Sequence, residues 1–392
     1  MPEFSRAQQL SYSATQQLRQ PKLQSLCAFS IYLHSKIKTV QRKYLLPIFL
    51  VFEIIAMQVV SFFPETVEYY YSNGLYPKMA NLWRIGLGKI PFSFGDCMYG
   101  VVIFLVIRWF WKKRSTWKKQ WKNNGLQIVS FIAVFYFFFQ LCWGLNYCRQ
   151  PLFEKLHIER DYTDADLYAF TTKLIAKTNA VHHQLVAHDS IKIAFPYSQQ
   201  EVFTMNLKGY QNLALVYPIF EYDHLSVKKS LFSLPLTYMG FGGYLNPFTN
   251  EAQVNDMGPM YNFPSTTSHE MAHQLGYASE SECNFIGFLA STKNDNLYFQ
   301  YSGYSFALRY CLHNWEIRNP KVLKQLLKTV HPGILKNYQE NEDFWKQYET
   351  FIETGFKIFY DNFLKFNQQK DGLESYSKFV NLMVNYYEGS EL

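Results

Sequence analysis

Charge is scarce in this chain. Of its 392 residues only 18% are charged, against about 25% in an ordinary soluble globular protein. Hydrophobic residues make up 48%, so a purely water-soluble reading is disfavoured. Cysteine is sparse too. The six are Cys27, Cys97, Cys142, Cys148, Cys283 and Cys311, and none forms a CxxC pair. That excludes a cysteine zinc ribbon and a thioredoxin-like site. Cys283 and Cys311 either pair in an oxidising compartment or stay as buried thiols. No internal repeat or low-complexity tract is visible, which excludes a repeat array. The apolar run around Leu23–Leu33 is too short to span a bilayer and lacks a small-residue cleavage site, so no signal peptide is assigned. There is no diffuse basic surface either. The net charge of +7 is concentrated in two blocks, and no nucleic-acid partner is inferred.

Three apolar runs stand out: Leu45–Phe63, Ile90–Ile107 and Leu126–Leu145. A hydrocarbon core of about 30 Å takes about 20 apolar helical residues. The second run is the weakest because Asp96 lies near one end. The basic blocks flank these runs. Arg6, Arg19, Lys22, Lys36, Lys38, Arg42 and Lys43 precede the first. Arg108, Lys112, Lys113, Arg114, Lys118, Lys119 and Lys122 lie between the second and third, with no acid among them. The positive-inside rule puts both blocks in the cytoplasm. Three spans then carry everything after Tyr147 to the opposite side, which in a bacterium is outside the inner membrane. Glu53 lies within the first span, where an ionisable group is either functional or a protonated carboxyl bonded to a neighbouring helix.

The expected architecture is mainly α. A cytoplasmic segment (1–43) leads into a membrane domain of three helices (44–148), and an extracytoplasmic, mostly helical domain follows (149–392). Thr163 with Asp166, and Ser198 with Glu201, form capping boxes that open two helices. Leu167, Phe170, Leu174, Val181 and Leu185 recur at helical spacing on the first of these. His182, His183 and His188 are placed on that helix and read as solvated or structural. From Val227 to Asn255 the helical period is lost, Gly240, Gly242 and Gly243 cluster, and short strands and turns are predicted. Helix resumes after Phe299.

His269-Glu270-Met271-Ala272-His273 is an HExxH. On a helix, residues four apart share a face, so both imidazoles reach one ion. Histidine is 10 of 392 residues, so with glutamate at about 5% the motif arises by chance about once in 80 such chains. Pro264 and the Ser265–Ser268 stretch predict a turn and N-cap directly before His269. Gly276 is placed to end the helix. Zinc (Zn2+) takes imidazole nitrogen and carboxylate oxygen, and a catalytic site keeps one position open. The third ligand is sought in Glu280-Ser281-Glu282-Cys283-Asn284, at the start of a helix opened by Ser279. Glu280 and Asn284 share a face, while Glu282 is rotated about 200° from Glu280. Glu280 is taken as ligand and Asn284 as the group that orients an imidazole, with Glu282 as the alternative ligand. Glu270 is the expected general base. Tyr301, Tyr304, Arg309 and His313 follow, and Tyr304 is chosen as the oxyanion donor.

HEMAHQLGYASESECNF, with GGYLNPFTNEAQVN, YSGYSFALRY and DGLESYSKFVNLM, resembles an uncharacterised family of bacterial multi-pass membrane proteins with a zincin-like signature. The HExxH…ExxxN order also resembles gluzincin membrane peptidases, whose second helix carries ExxxD. Asn284 stands where that aspartate would, so the charge that raises ligand basicity is missing. The resemblance implies a peptidase by type and supplies no substrate; the leading reading of the residues is a membrane-anchored zinc metallopeptidase acting on a protein or peptide, with the lipid bilayer as its other partner. The alternative is a membrane sensory or binding protein whose zinc is not catalytic. The sequence fixes neither oligomeric state nor substrate.

Overall fold

The computed structural model describes residues 42–367 and 376–392. Nearly all of the predicted cytoplasmic segment, and with it Cys27, lies outside the described residues. The fold is mainly α, as expected. Three helices are long and apolar enough to cross a membrane: Arg42–Val60, Phe94–Lys113 and Trp121–Cys142. Each is offset by a few residues from its apolar run, for local reasons. The first, described from Arg42 onward, stops before Pro64. The second starts late, at Phe94, where the Glu251 carboxylate accepts from the backbone N–H groups of Phe94 and Gly95 at 3.2 and 2.6 Å. Those donors have no partner inside the helix. The third ends at Cys142 because Trp143 leaves helical geometry, at φ −152°.

The chain divides into two compact units. One comprises Met1–Ala56 and Lys112–Phe137. Within it Glu53 is buried, and both its carboxyl oxygens lack a hydrogen-bond partner among the described residues. The bonded carboxyl foreseen for it is not found there. The other unit comprises Met57–Trp111 and Phe138–Leu392. The segment between the first two spans folds as part of the larger unit. It forms a short helix Pro64–Val67, a π-helical stretch Glu68–Leu75 and a helix Tyr76–Leu87. Glu68 fastens it, with ion pairs of 2.7 Å to Arg149 and 2.6 Å to Lys155.

In the larger unit, the helices Asp164–Leu185 and Gln199–Ala214 carry the predicted capping boxes. With Phe263–Gln274, Glu280–Thr292 and Leu297–Arg318 they enclose a core that includes Leu167, Phe203, Tyr210, Met271, Phe285, Phe288 and Leu308. Burial of each such large side chain contributes about 1.5–3 kcal/mol. Between the second and third of these helices lies a small sheet: β1 (Val227–Lys229), β2 (Gly243–Leu245) and β3 (Ala252–Val254), in the order β1-β3-β2. β3 runs parallel to β1, with Val227 opposite Ala252, and antiparallel to β2, with Tyr244 opposite Gln253. A helix, Ser233–Met239, interrupts the predicted strand region. It is only seven residues long and contains Pro235, so no helical period announces it. Asp96, the residue that weakened the second apolar run, accepts from Ser230 Oγ at 2.9 Å, Leu231 N at 2.7 Å and the Tyr244 hydroxyl. It ties the start of that helix to the sheet.

Candidate metal centre

The HExxH helix runs from Phe263 to Gln274. It opens six residues before His269, not at it. Pro264 sits in the first turn, where a missing N–H costs nothing, so the residues read as a turn are helical. The motif therefore lies in the helix interior and its facing is fixed by packing. Tyr210 donates to Ser268 O, and Ser268 Oγ donates to Asn206 Oδ1 at 3.1 Å. Gly276 follows with φ +86°, and the chain re-enters helix at Glu280 with Ser279 as N-cap, as predicted. The two helices cross closely at Gly287, where a Cβ would stand 2.9 Å from His269 N.

Three ligand atoms converge between these helices. His269 Nε2 and His273 Nε2 are 3.1 Å apart, and Glu280 Oε2 lies 3.1 Å from the first and 3.8 Å from the second. The other ring nitrogens set the tautomers. His269 Nδ1 donates to Asn284 Oδ1 at 2.8 Å, and His273 Nδ1 donates to the Tyr277 carbonyl at 2.8 Å. Both Nε2 lone pairs then face each other and a carboxylate, an arrangement that calls for a shared cation. Asn284 takes its expected place and Glu280 is the carboxylate in the cluster. Glu282 is turned away: its Oε1 accepts from Leu152 N at 2.6 Å, near Arg149 and Lys155.

Glu270 is buried and its Oε2 has no hydrogen-bond partner among the described residues. Burial pushes its carboxyl up to about 7, against the pull of His269 and His273. The carboxylate lies against β2 at Gly243, where a Cβ would come within 2.6 Å of Glu270 Oε1 and 2.6 Å of Gln253 O. Gly243 was read as part of a turn. Its role is to admit the carboxylate.

Tyr304 is not at the cluster. Its ring packs on Phe288 and it lines a cavity with Thr292 and Tyr386. Thr292 is twelve residues beyond Glu280, about 18 Å along the helix at about 1.5 Å per residue, so Tyr304 is withdrawn as oxyanion donor. The other polar residues of its helix are engaged elsewhere. Tyr301 donates to Asn337, Arg309 faces Glu342, and His313 faces Glu316. Two tyrosines that the sequence did not single out lie by the cluster instead. Tyr360, on the helix Phe351–Phe366, donates to Glu280 Oε1 at 2.8 Å. Tyr147 feels the charges of Glu280 and His273 and stacks edge-on against Trp143. Neither lies near the motif in sequence, so no local signal exposes them.

The shell around the motif's exit was also not foreseen. Arg149 donates to the Gly276 carbonyl at 2.7 Å while paired with Glu68. The Tyr76 hydroxyl donates to Gln274 O at 3.1 Å. Gln274 Nε2 donates to Ser226 O and Asn250 O at 3.0 and 2.6 Å. Cys283 and Cys311 are both free and buried, and the Cys283 thiol donates to Tyr277 O at 3.1 Å. A second group, His182, Asp189 and His331, also brings ligand atoms together. His182 is fully buried, with Nε2 2.9 Å from the Ile191 carbonyl, in line with a structural part.

Fold and site define a class: a mainly α chain with three helices of membrane-crossing length and apolarity, carrying an HExxH cluster of two histidines and a glutamate. Residues 71–384 match a family described as "Protein of unknown function (DUF3810)", and the chain belongs to that family. No curated protein and no solved structure matches the chain.

Proposed function

We propose that this protein is a membrane-anchored zinc metallopeptidase that hydrolyses peptide bonds of protein or peptide substrates. The observation that carries the reading is the orphaned Glu270 carboxylate. It is buried, its Oε2 has no hydrogen-bond partner among the described residues, it is not one of the three convergent ligands, and β2 keeps room for it by means of Gly243. A structural metal site has no use for such a group. The donor set also fits zinc, with two neutral imidazoles and one carboxylate, each of the imidazoles held by a second partner.

His269, His273 and Glu280 would hold the metal. Bound there, zinc would supply Lewis acidity towards a peptide carbonyl and lower the pKa of water. Glu270 takes the proton of the attacking water and returns it to the leaving amine. A buried carboxyl with a free oxygen, next to a ligand in the chain, suits both halves of that transfer. Asn284 and the Tyr277 carbonyl hold the imidazoles in the tautomer that presents Nε2. Glu280 is steadied by Tyr360. The distribution of Lys and Arg supports placing the domain outside the cytoplasm, on a bacterial inner membrane.

The test compares wild type with Glu270→Gln in the native host, by proteomics of membrane and secreted fractions, together with zinc content. The peptidase reading expects equal zinc in both and the loss, in the variant, of a discrete set of cleaved termini. Equal zinc with identical termini in wild type and variant overturns it.

A further inference from the structure

Helix Phe351–Phe366 has an apolar face that no described residue of the larger unit covers. Phe351 is 86% exposed, Ile358 and Phe359 are 61% exposed, and Ile352 and Phe366 are also exposed. At about 100° per residue these five fall within an arc of about 120°. The opposite face turns inward through Phe356, Tyr360 and Leu364, with Tyr360 packed on Phe241 and bonded to Glu280. The flank between them is polar, with Lys357 paired to Glu353 and Lys365 to Asp361 at spacing i,i+4. A helix with one face in the protein, one in nothing and a charged flank between is the pattern of a segment lying in a membrane interface.

Its position identifies the occupant of the bare face. Phe363 packs against Phe139, with ring centroids 6.0 Å apart, and against Tyr147 at 6.3 Å. Phe139 lies three residues before the end of the apolar helix Trp121–Cys142, so this contact is about one turn below that end. The exposed face continues onto the neighbouring chain segment. Leu231 and Leu234 are exposed, and Leu231 N–H donates to Asp96 at the start of the apolar helix Phe94–Lys113. Two apolar helices of membrane-crossing length thus begin or end at the level of this rim.

We propose that helix Phe351–Phe366 lies in the plane of the membrane, with Phe351, Ile352, Ile358, Phe359 and Phe366 among lipid acyl chains. Tyr360, on the reverse of the same helix, then links the lipid surface directly to Glu280 of the metal cluster. The inference does not depend on the peptidase reading.

The experiment uses the full chain in nanodiscs of phosphatidylcholine and phosphatidylglycerol. Single nitroxides are placed at Ile352→Cys, Phe359→Cys and Thr354→Cys, in a background with Cys27, Cys97 and Cys142 changed to serine. Collision with oxygen is compared with collision with a water-soluble nickel chelate. Positions 352 and 359 are expected to favour oxygen, and position 354, on the polar flank, the chelate. Equal chelate access at 359 and 354 would place the helix in water and overturn the proposal. Exclusion of both reagents at 359 would mean that a protein surface covers the face, and would overturn it too. Wild-type protein in nanodiscs whose lipids carry an acyl-chain diazirine gives a readout free of substitutions. Adducts are expected on 351–366 as well as on the three apolar helices. Adducts on those helices alone count against it.

Discussion

Exchanging the two candidate carboxylates one at a time separates a metal ligand from a structural acid. Glu280 Oε2 lies 3.1 and 3.8 Å from the two Nε2 atoms, whereas Glu282 accepts from Leu152 N at 2.6 Å. Glu280→Ala removes one of the three proposed ligands. Its effect on zinc affinity should exceed the roughly 10–100-fold that follows loss of a ligand's outer partner. Glu282→Ala leaves the cluster intact but strands a buried backbone N–H, at a cost of about 1–3 kcal/mol. At roughly 2–4 °C per kcal/mol for a unit of this size, the melting temperature should fall by several degrees. Zinc affinity is read by competition with a chromophoric chelator, and stability by thermal unfolding of the zinc-free protein in detergent. The expected pattern separates on zinc: Glu280→Ala loses zinc affinity, while Glu282→Ala keeps it and loses only stability. If Glu282→Ala weakens zinc as much as Glu280→Ala does, the assignment of the third ligand is wrong.

Gly243→Ala brings a Cβ to 2.6 Å from Glu270 Oε1. Overpacking of this kind costs about 1–3 kcal/mol, and displacing the base by about 1 Å costs about 100-fold in turnover; zinc content unchanged with cleavage products retained at the wild-type level would contradict the close approach. Glu68 is held down at about 2 because Arg149 and Lys155 outweigh its burial. The folded state therefore binds fewer protons there than the unfolded one, and the stability this gives is complete above about pH 4.5 and is lost as pH falls towards about 2. The shift is worth about 3 kcal/mol; Glu68→Gln should flatten stability against pH across that window, as followed by denaturant unfolding. Asn284→Asp restores a charge behind His269 and should tighten zinc by up to about tenfold, measured by chelator competition. Alkaline phosphatase fused at the C-terminus should be active if the domain lies outside the cytoplasm, and an inactive fusion with an active cytoplasmic reporter would reverse the topology.

What the sequence made legible was what short spacing encodes. HExxH sets two imidazoles one helical turn apart, and ExxxN does the same for a carboxylate and an amide, so four residues of the cluster could be named from periodicity. The choice of Glu280 over Glu282 followed from the same geometry, since a rotation of about 200° cannot keep both on one face. Capping boxes at Thr163 and Ser198 were readable because their partners are three residues away. Local chemistry misled at Pro264, where a residue common in turns is equally at home in the first turn of a helix.

What stayed hidden came from distant parts of the chain. Glu68 reaches Arg149 across 81 residues and Tyr360 reaches Glu280 across 80. No window of sequence contains both members of either pair. The segment 64–87 lies between two apolar runs and carries no local sign that Glu68 is a buried acid, because its partner lies beyond the third apolar helix. The long-range contacts share a direction. Tyr76 and Arg149 hold the carbonyls at the exit of the HExxH helix, Tyr360 holds Glu280, and Gly243 makes room for Glu270. The ligands themselves are written locally, and the shell that fixes their geometry is supplied by elements next to the apolar helices. Detaching the C-terminal domain at residue 148 would therefore remove Glu68 and Tyr76 and leave Arg149 buried without its counter-ion. Breaking a pair of that kind costs about 3–5 kcal/mol, so a fragment of residues 149–392 should bind zinc more weakly than the full chain, and equal affinity in the two would show that the shell is dispensable.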